Sequence, residues 1–376
     1  AAFSGSYSDG YEWTFEVSTE VDMTPPQVVS VVPRVGANDA RNITIAITFN
    51  EAMDPMAGTG TYVAGSEDDD ERFSNITIGS EATESGYVDG TFAISNQYRT
   101  IEFTPTEACG VDPCGDTIYC LPAMDDGSDD TVSVIAKAAT LSTDVPQALL
   151  IGVSYDGLVD AAANSLDGDG DGTATGRGTS SSSMDDYVDL VFTTENVIND
   201  TVPQITAMRP DIWEEESSNS EDVTIDFSVM MKSSTLNSTN LSLWPDPWYE
   251  FWFRTSNAEY SPVSGDAYTI ASIGHPTMVS SEDLGWVYHP VVTRSVKSSY
   301  QICMFPPEGP AVDNSDASNP TSSATDLCET TSAFPYCCDG VRQSTACQTN
   351  QDNDGDPETA PVYYSLPDSD PLDTSN

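Results

Sequence analysis

An internal repeat constrains the fold of this chain more than any other feature of its sequence. Residues 8–27 (SDGYEWTFEVSTEVDMTPPQ) align with residues 185–204 (DDYVDLVFTTENVINDTVPQ), so that Phe15 falls on Phe192, 177 positions later. The agreement continues through the strand-like segments that follow, with a shift of one residue. Because self-similarity at a fixed spacing marks repeated structural units, the chain is predicted to contain two similar modules.

The repeat also sets the predicted domain boundaries. Module 1 is predicted at residues 24–200 and module 2 at residues 201–376, the latter with a Cys-rich insertion. Residues 1–23 precede module 1 and are predicted to be a strand followed by a linker.

The local pattern in both modules is that of β-strands. Apolar residues alternate with small or polar ones at residues 11–17, 43–49, 98–103 and 223–227. A period of two with β-branched and aromatic residues is typical of strands with one buried face. Many short strands without a βαβ rhythm predict an all-β fold of sandwiches, and only residues 134–150 look able to hold a short helix.

Three motifs resemble a known family. They are TPPQVVSVVP at residues 24–33, IAITFNEAMDP at residues 45–55 and DAAANSLDGDGDG at residues 160–172. Together they resemble the bacterial Ig-like repeats of surface and S-layer proteins. Module 2 departs from the pattern, since VMMK at residues 229–232 replaces the acidic signature. The resemblance implies tandem immunoglobulin-like β-sandwiches and a secreted, extracellular or cell-surface location.

The length of the modules predicts insertions. An Ig-type sandwich needs about 100 residues, and each predicted module is longer. Large loop insertions are therefore expected at about residues 58–92, 123–150 and 307–350.

The charge of the chain limits its partners. Lys and Arg number 12 and Asp and Glu 61, which gives a net charge of −49. Phosphate binding needs Lys and Arg, so nucleic acid is excluded as a direct partner. Self-repulsion of this size is relieved by salt and by bound divalent cations, although a simple solvated acidic surface is the alternative. No apolar run approaches the length of a membrane span, so none is predicted.

Two acidic motifs are candidate calcium sites. Each places carboxylates at alternate positions among Gly or Asn residues, and calcium takes six to eight oxygen ligands in such loops. The predicted ligands are Asp167, Asp169 and Asp171 in module 1, and Asp352, Asp354 and Asp356 in module 2. Missing ligands would come from elsewhere, with Asp185 or Asp186 as candidates; a solvated acidic turn is the alternative.

Eight cysteines predict disulfides formed in an oxidising compartment. They are split unevenly between the modules: Cys109, Cys114 and Cys120, then Cys303, Cys328, Cys337, Cys338 and Cys347. Either one bridge joins the two halves, or each half keeps a thiol or an intermolecular bond. At least one local bridge is expected within residues 109–120.

Five Asn-x-Ser/Thr sequons are candidate glycosylation sites, which would suit a surface glycoprotein. They lie at Asn42, Asn75, Asn199, Asn237 and Asn240.

The strand at residues 7–17 has no module in front of it. Its alternate residues Tyr11, Trp13, Phe15 and Val17 would form one apolar face, and a lone strand must find a sheet to join. Two explanations remain open. The strand could complete a sandwich in another copy and so build a homopolymer, or the chain could be part of a longer repeat array.

The leading functional prediction is a non-enzymatic structural subunit of an extracellular filament or surface layer, joined by strand donation. Only His275 and His289 are present, and neither lies in a metal-ligand spacing or beside a nucleophile motif. One alternative is an adhesin or carbohydrate-binding module that uses the aromatic residues 244–253; these residues could equally be core. Another is a non-catalytic repeat region of a larger secreted protein.

Overall fold

The structure is a computed structural model. It describes residues 20–63, 73–143, 145–150, 155–177, 186, 188–210, 218, 220–246, 257–262, 269–275, 287–304, 336–338 and 341–343.

Module 1 contains thirteen strands and one helical turn in its described residues. In chain order they are β1 (Val28–Val32), β2 (Asn38–Ala40), β3 (Ile45–Phe49), α1 (Pro55–Gly58), β4 (Gly60–Tyr62), β5 (Ile76–Ser80), β6 (Gly90–Ser95), β7 (Thr100–Pro105), β8 (Ala108–Val111), β9 (Thr117–Tyr119), β10 (Asp130–Ala136), β11 (Leu141–Thr143), β12 (Val145–Ala148) and β13 (Val188–Glu195).

These strands form a two-sheet sandwich, which confirms the predicted fold class. One sheet has the order β1-β3-β7-β6-β4 and the other β2-β13-β10-β5, while β8–β9 and β11–β12 are separate hairpins. All pairs are antiparallel except β13 with β2. Strand β10 shows why the fold forms, because Val132, Val134 and Ala136 alternate into the core between half-buried neighbours.

Module 2 has a second sandwich with its own core. Its described elements are β14 (Ile205–Arg209), β15 (Val223–Phe227), a 3-10 turn (Ser233–Thr235), β16 (Leu241–Asp246), β17 (Asn257–Pro262), β18 (Thr269–Gly274), β19 (Val287–Val292), β20 (Tyr336–Cys338) and β21 (Val341–Gln343). One sheet has the order β14-β15-β18-β17, and β16 pairs with β19. The predicted boundary at residues 200 and 201 lies in the segment between β13 and β14.

Two of the predicted insertions in module 1 are wrong. Residues 58–92 contain β5, whose Ile76 and Ile78 are buried in the core, and residues 123–150 contain the central strand β10. The described residues of the segment 134–150 also hold no helix, because they run from β10 into the β11–β12 hairpin. Of the third predicted insertion, residues 307–350, only β20 and β21 lie in the described part of the chain.

A buried polar junction joins the two modules. The side chain of Gln301 donates to Asn42 O at 2.9 Å and to Tyr119 O at 2.7 Å, and its Oε1 accepts from Tyr119 N at 3.0 Å. Asn42 Nδ2 in turn donates to Tyr300 O at 2.7 Å and to Asn199 O at 2.8 Å. Both amide side chains are buried, so each bond is made in a region where an unpaired amide would be costly.

A disulfide and an ion pair reinforce this junction. Cys114 of module 1 is bonded to Cys303 of module 2, across 189 positions of sequence. The ammonium of Lys297 lies 2.6 Å from Asp116 Oδ2 and 3.1 Å from Asp112 Oδ2, an otherwise unpartnered buried oxygen. The junction is therefore covalent as well as polar.

The disulfides decide part of the cysteine question. Cys109 pairs with Cys120 inside module 1, as expected for a local bridge, and the Cys114–Cys303 bond is the bridge between the halves. Cys328 and Cys347 lie outside the described residues, and Cys337 and Cys338 lie in β20, where only the backbone is described.

Burial argues against two of the predicted glycan acceptors. Asn42 is fully buried in the junction, and Asn75 Nδ2 donates to Ala57 O at 3.0 Å inside module 1. Asn199, Asn237 and Asn240 are half-buried. No helix in the described part of the chain has the length and apolar character needed to cross a membrane.

Candidate metal centre

The acidic loop at residues 167–172 is built around one carboxylate. Asp167 is buried, and its two oxygens accept from Gly170 N and Gly172 N at 2.8 Å each and from Gln27 Nε2 at 2.6 Å. Gly170 and Gly172 have φ of +73° and +90°, a conformation that glycine adopts without steric cost. The alternating glycines therefore let the loop fold back over Asp167.

Asp186 reaches the same place from the segment before β13. It is 1% exposed, and its Oδ2 accepts from Thr175 N, from Gly176 N at 2.6 Å and from Thr175 Oγ1 at 2.8 Å. Its Oδ1 is buried and has no hydrogen-bond partner. Burial raises the pKa of Asp186, against the opposing effect of these hydrogen bonds.

Three carboxylates converge here. One oxygen from each of Asp167, Asp169 and Asp186 lies within 4.8 Å of the others. Burial alone would raise the pKa of Asp167, but the hydrogen bonds from Gln27 and the loop amides outweigh it and lower that pKa. Asp169 is exposed, so the cluster opens to solvent on one side. We call these three residues the loop site.

The loop site differs from the predicted ligand set at one position. Asp171 lies outside the cluster, and its Oδ1 accepts from Thr173 N at 2.8 Å. Its place is taken by Asp186, one of the two residues that the sequence offered as a source of missing ligands. The sequence could not choose between Asp185 and Asp186, because only the folded module shows which carboxylate reaches the loop.

A second acidic cluster lies nearby and was missed by sequence reasoning. It contains Asp22, Glu51 and Asp160, again with one oxygen of each within 4.8 Å of the others. Asp160 is buried and accepts from Asn164 N and Asn164 Nδ2, both at 2.7 Å, whereas Glu51 Oε1 is buried without a hydrogen-bond partner. Burial first, then the charges of Asp160 and Asp22, raise the pKa of Glu51 to about 7. We call this group the linker site.

Both sites hold the segment that enters module 1. Asn164 Nδ2 donates to Thr24 O at 3.1 Å, and Asp167 N donates to Pro26 O at 2.9 Å. Gln27, at the end of the same segment, bonds directly to the Asp167 carboxylate. Residues 22–27 are thus fixed between the two acidic groups.

Chemically, the loop site suits a hard divalent cation. Carboxylate oxygens are the ligands that calcium prefers, and a cation beside Asp186 Oδ1 would satisfy an oxygen that otherwise loses its hydration without compensation. A third group, Asp112 with Cys114 and Cys303, does not suit a metal, because the two sulfurs are bonded to each other.

Other predicted sites lie outside the described residues. They are Asp352, Asp354 and Asp356 of the second acidic motif, and Tyr11, Trp13, Phe15 and Val17 of the N-terminal strand. The aromatic segment at residues 244–253 is described only as far as the backbone of residues 244–246. Of the two histidines, His275 Nε2 lies 2.6 Å from Glu221 O, a structural contact.

The two-sheet fold of module 1 is that of an Ig-like β-sandwich protein, and a comparison with known protein families agrees with this fold class. Residues 22–110 match the family model described as bacterial Ig-like domain. This match confirms the resemblance for this part of module 1, whose sandwich also includes β10 and β13 beyond residue 110. No curated protein matches the sequence.

Solved structures give a weaker likeness. The N-terminal part of the bacterial S-layer protein SbsC is 12% identical, with a TM-score of 0.22, over 70% of this chain and 43% of that one. Domains 1–6 of surface layer protein SbsC are 11% identical, with a TM-score of 0.23, over 66% of this chain and 32% of that one. This chain thus spans less than half the length of these structures, and TM-scores so low do not establish a common arrangement of modules.

The linker site predicts a pH dependence of stability in metal-free buffer. The pKa of Glu51 is about 7 in the folded chain, above the 4.5 of an unperturbed glutamate, so the folded state binds this proton more tightly than the unfolded state. The stabilisation is complete below pH 4.5 and is lost as the pH rises through 7. Glu51→Gln, which keeps a neutral side chain, should gain melting temperature relative to wild type as the pH rises from 5 to 8.

Thermal denaturation with a chelator present measures this difference. Glu84→Gln, at an exposed glutamate, is the matched control and should show no such trend. Parallel melting curves for wild type and Glu51→Gln across this pH range would contradict the assignment.

Proposed function

We propose that this chain is a non-enzymatic structural segment of an extracellular surface layer or filament. Divalent cations stabilise it, and it joins copies of itself by donating residues 7–17. The single observation that carries the proposal is the junction, in which a disulfide, an ion pair and buried hydrogen bonds hold the two sandwiches together.

The junction supports a mechanical function. Modules within a chain are expected to move relative to one another unless their interface is extensive. Here Thr44 N donates to Ser299 O at 2.6 Å, Ser95 Oγ lies 2.7 Å from Ser233 Oγ, and Met230 and Tyr300 pack against the core of module 1. A unit that transmits force or keeps a repeat distance needs such a fixed connection.

The disulfides and the charge support an extracellular setting. Disulfides persist outside the reducing cytosol, and the described residues contain two. A net charge of −49 favours surroundings rich in salt and divalent cations, where self-repulsion is screened. The bacterial Ig-like domain at residues 22–110 fits a region of a surface protein.

Strand donation is supported by the position of the acidic sites. Residues 22–27 are anchored by Asn164 and Asp167, so the candidate donor strand is followed by a segment that is held at a fixed point of module 1. A cation at either site would hold this segment more rigidly. The donor would then be presented in one direction, as head-to-tail growth requires.

The first test concerns calcium at the loop site. Binding at about 100 times Kd stabilises a folded protein by about 2.7 kcal/mol, so added calcium should raise the melting temperature of wild type by several degrees. Asp186→Asn should lose most of this rise, because its unpartnered oxygen no longer carries charge. Asp171→Asn, in the same loop but outside the cluster, should keep it.

Differential scanning fluorimetry of the three proteins, each in chelator and in calcium, gives six melting curves. An equal calcium response in Asp186→Asn and wild type would overturn the loop site, as would a wild type that does not respond.

The second test concerns assembly. Purified chain with calcium should form ordered polymers in negative-stain electron microscopy, and Phe15→Asp should abolish them, because a charge on the apolar face of the donor cannot enter a core. Glu16→Ala, on the opposite face of the same strand, should leave them intact. Wild-type protein that stays monomeric under these conditions would contradict self-assembly, and polymers of Phe15→Asp would contradict donation by this strand.

A further inference from the structure

The two modules share more of their architecture than their sequences show. The order β1-β3-β7-β6 in module 1 is repeated as β14-β15-β18-β17 in module 2. In the opposite sheet, β5 pairs with β10 and β16 pairs with β19, both antiparallel. Strand β19 is therefore the counterpart of β10.

Two asparagines fix the register of this correspondence. Asn75 precedes β5, and its backbone carbonyl accepts from Lys137 N at 2.9 Å. Asn240 precedes β16, and its backbone carbonyl accepts from Thr293 N at 2.9 Å. Ala136 lies opposite Ile76, the residue after the first asparagine, and Val292 lies opposite Leu241, the residue after the second. Val292 thus corresponds to Ala136, and each preceding residue of β19 to one of β10.

The two sheets then differ on the far side of β10 and β19. In module 1, β10 is covered on its other edge by β13, through seven residue pairs from Asp130–Thr194 to Ala136–Val188. In the described part of module 2, β19 pairs with β16 alone. The edge where a counterpart of β13 would lie has no partner among those residues.

The segment that resembles β13 stands at the other end of the chain. At the repeat spacing, Tyr11, Trp13, Phe15 and Val17 fall on Val188, Leu190, Phe192 and Thr194. Those four residues of β13 are its core-facing set, with Phe192 and Thr194 each 2% exposed. Residues 11–17 therefore carry a β13-like apolar face, with larger aromatic groups at two of the four positions.

We propose that the edge of β19 accepts residues 7–17 of a second copy, as the counterpart of β13 that the described residues of module 2 lack. This proposal rests on the proposed function and identifies its acceptor. The donated segment runs antiparallel to β19, as β13 does to β10, and the register places Tyr11 opposite Val292, Trp13 opposite Pro290 and Phe15 opposite Tyr288.

Pro290 is compatible with this arrangement. Thr293 N donates to the backbone carbonyl of Asn240, so the backbone groups of Thr293 point towards β16. Because this direction alternates along a strand, the backbone N and carbonyl of residue 290 point away from β16. Its missing N–H leaves the β16–β19 ladder intact and is a feature of edge strands. Its carbonyl can still accept from the amide of Trp13, so an added strand loses one hydrogen bond at this point.

The register predicts a specific cross-link between copies. Thr14 falls opposite His289, at a pair whose Cβ atoms lie about 4.5–5.5 Å apart in antiparallel sheets, close to the range of a disulfide. Thr14→Cys and His289→Cys are purified separately, mixed with calcium and mildly oxidised. A covalent heterodimer should appear on non-reducing gels, whereas Thr14→Cys with Val291→Cys, one diagonal step away, should give at least several-fold less.

The outcomes separate this inference from the proposed function. Polymers that form without the Thr14–His289 cross-link overturn the β19 acceptor and leave self-assembly standing, whereas absence of polymers overturns both. A variant carrying both substitutions should give a covalent ladder. An internally linked monomer instead would show that the strand folds back onto its own chain, and would overturn the second copy as occupant.

Discussion

The structure depends on the junction at which module 1 and module 2 share buried polar groups. The side-chain amide of Gln301 makes hydrogen bonds to the backbone of both Tyr119 and Asn42. Removal of this side chain would therefore leave several buried polar groups without a hydrogen-bond partner. The Cys114–Cys303 bond then makes the contact covalent, and loss of such a bond costs about 2–5 kcal/mol in small secreted domains. This contact fixes module 2 relative to module 1, and therefore relative to residues 22–27 at the start of module 1.

Negative charge is the second constraint, and the fold concentrates it rather than only spreading it over the surface. Asp167, Asp169 and Asp186 meet at one point, and Asp22, Glu51 and Asp160 at another, although like charges repel at such distances. In both places a carboxylate oxygen is buried without a donor. Both groups border the segment that leads into β1, so a cation there would couple the ionic surroundings to the position of that segment.

Sequence predicted the general architecture but not its details. The repeat and the alternation in β3, β13 and β15 were enough for tandem sandwiches, and the DGDGDG run located the loop site. The two predicted insertions at residues 58–92 and 123–150 were wrong because β5 and β10 are flanked by Ser, Thr and Asp, which resemble loop composition until Ile76 and Val134 are seen to be buried. Asp186, the linker site and the Cys114–Cys303 bond could not be assigned from sequence, because each unites residues that only tertiary packing brings together.

The central claim is that the two sandwiches behave as one rigid unit, and scanning calorimetry tests it most directly. With its disulfides intact, the chain should unfold in a single transition whose calorimetric enthalpy equals the van't Hoff enthalpy, as cooperative unfolding requires. Two separated transitions, each with its own enthalpy, would show that module 1 and module 2 unfold independently, and would contradict a junction that joins them mechanically.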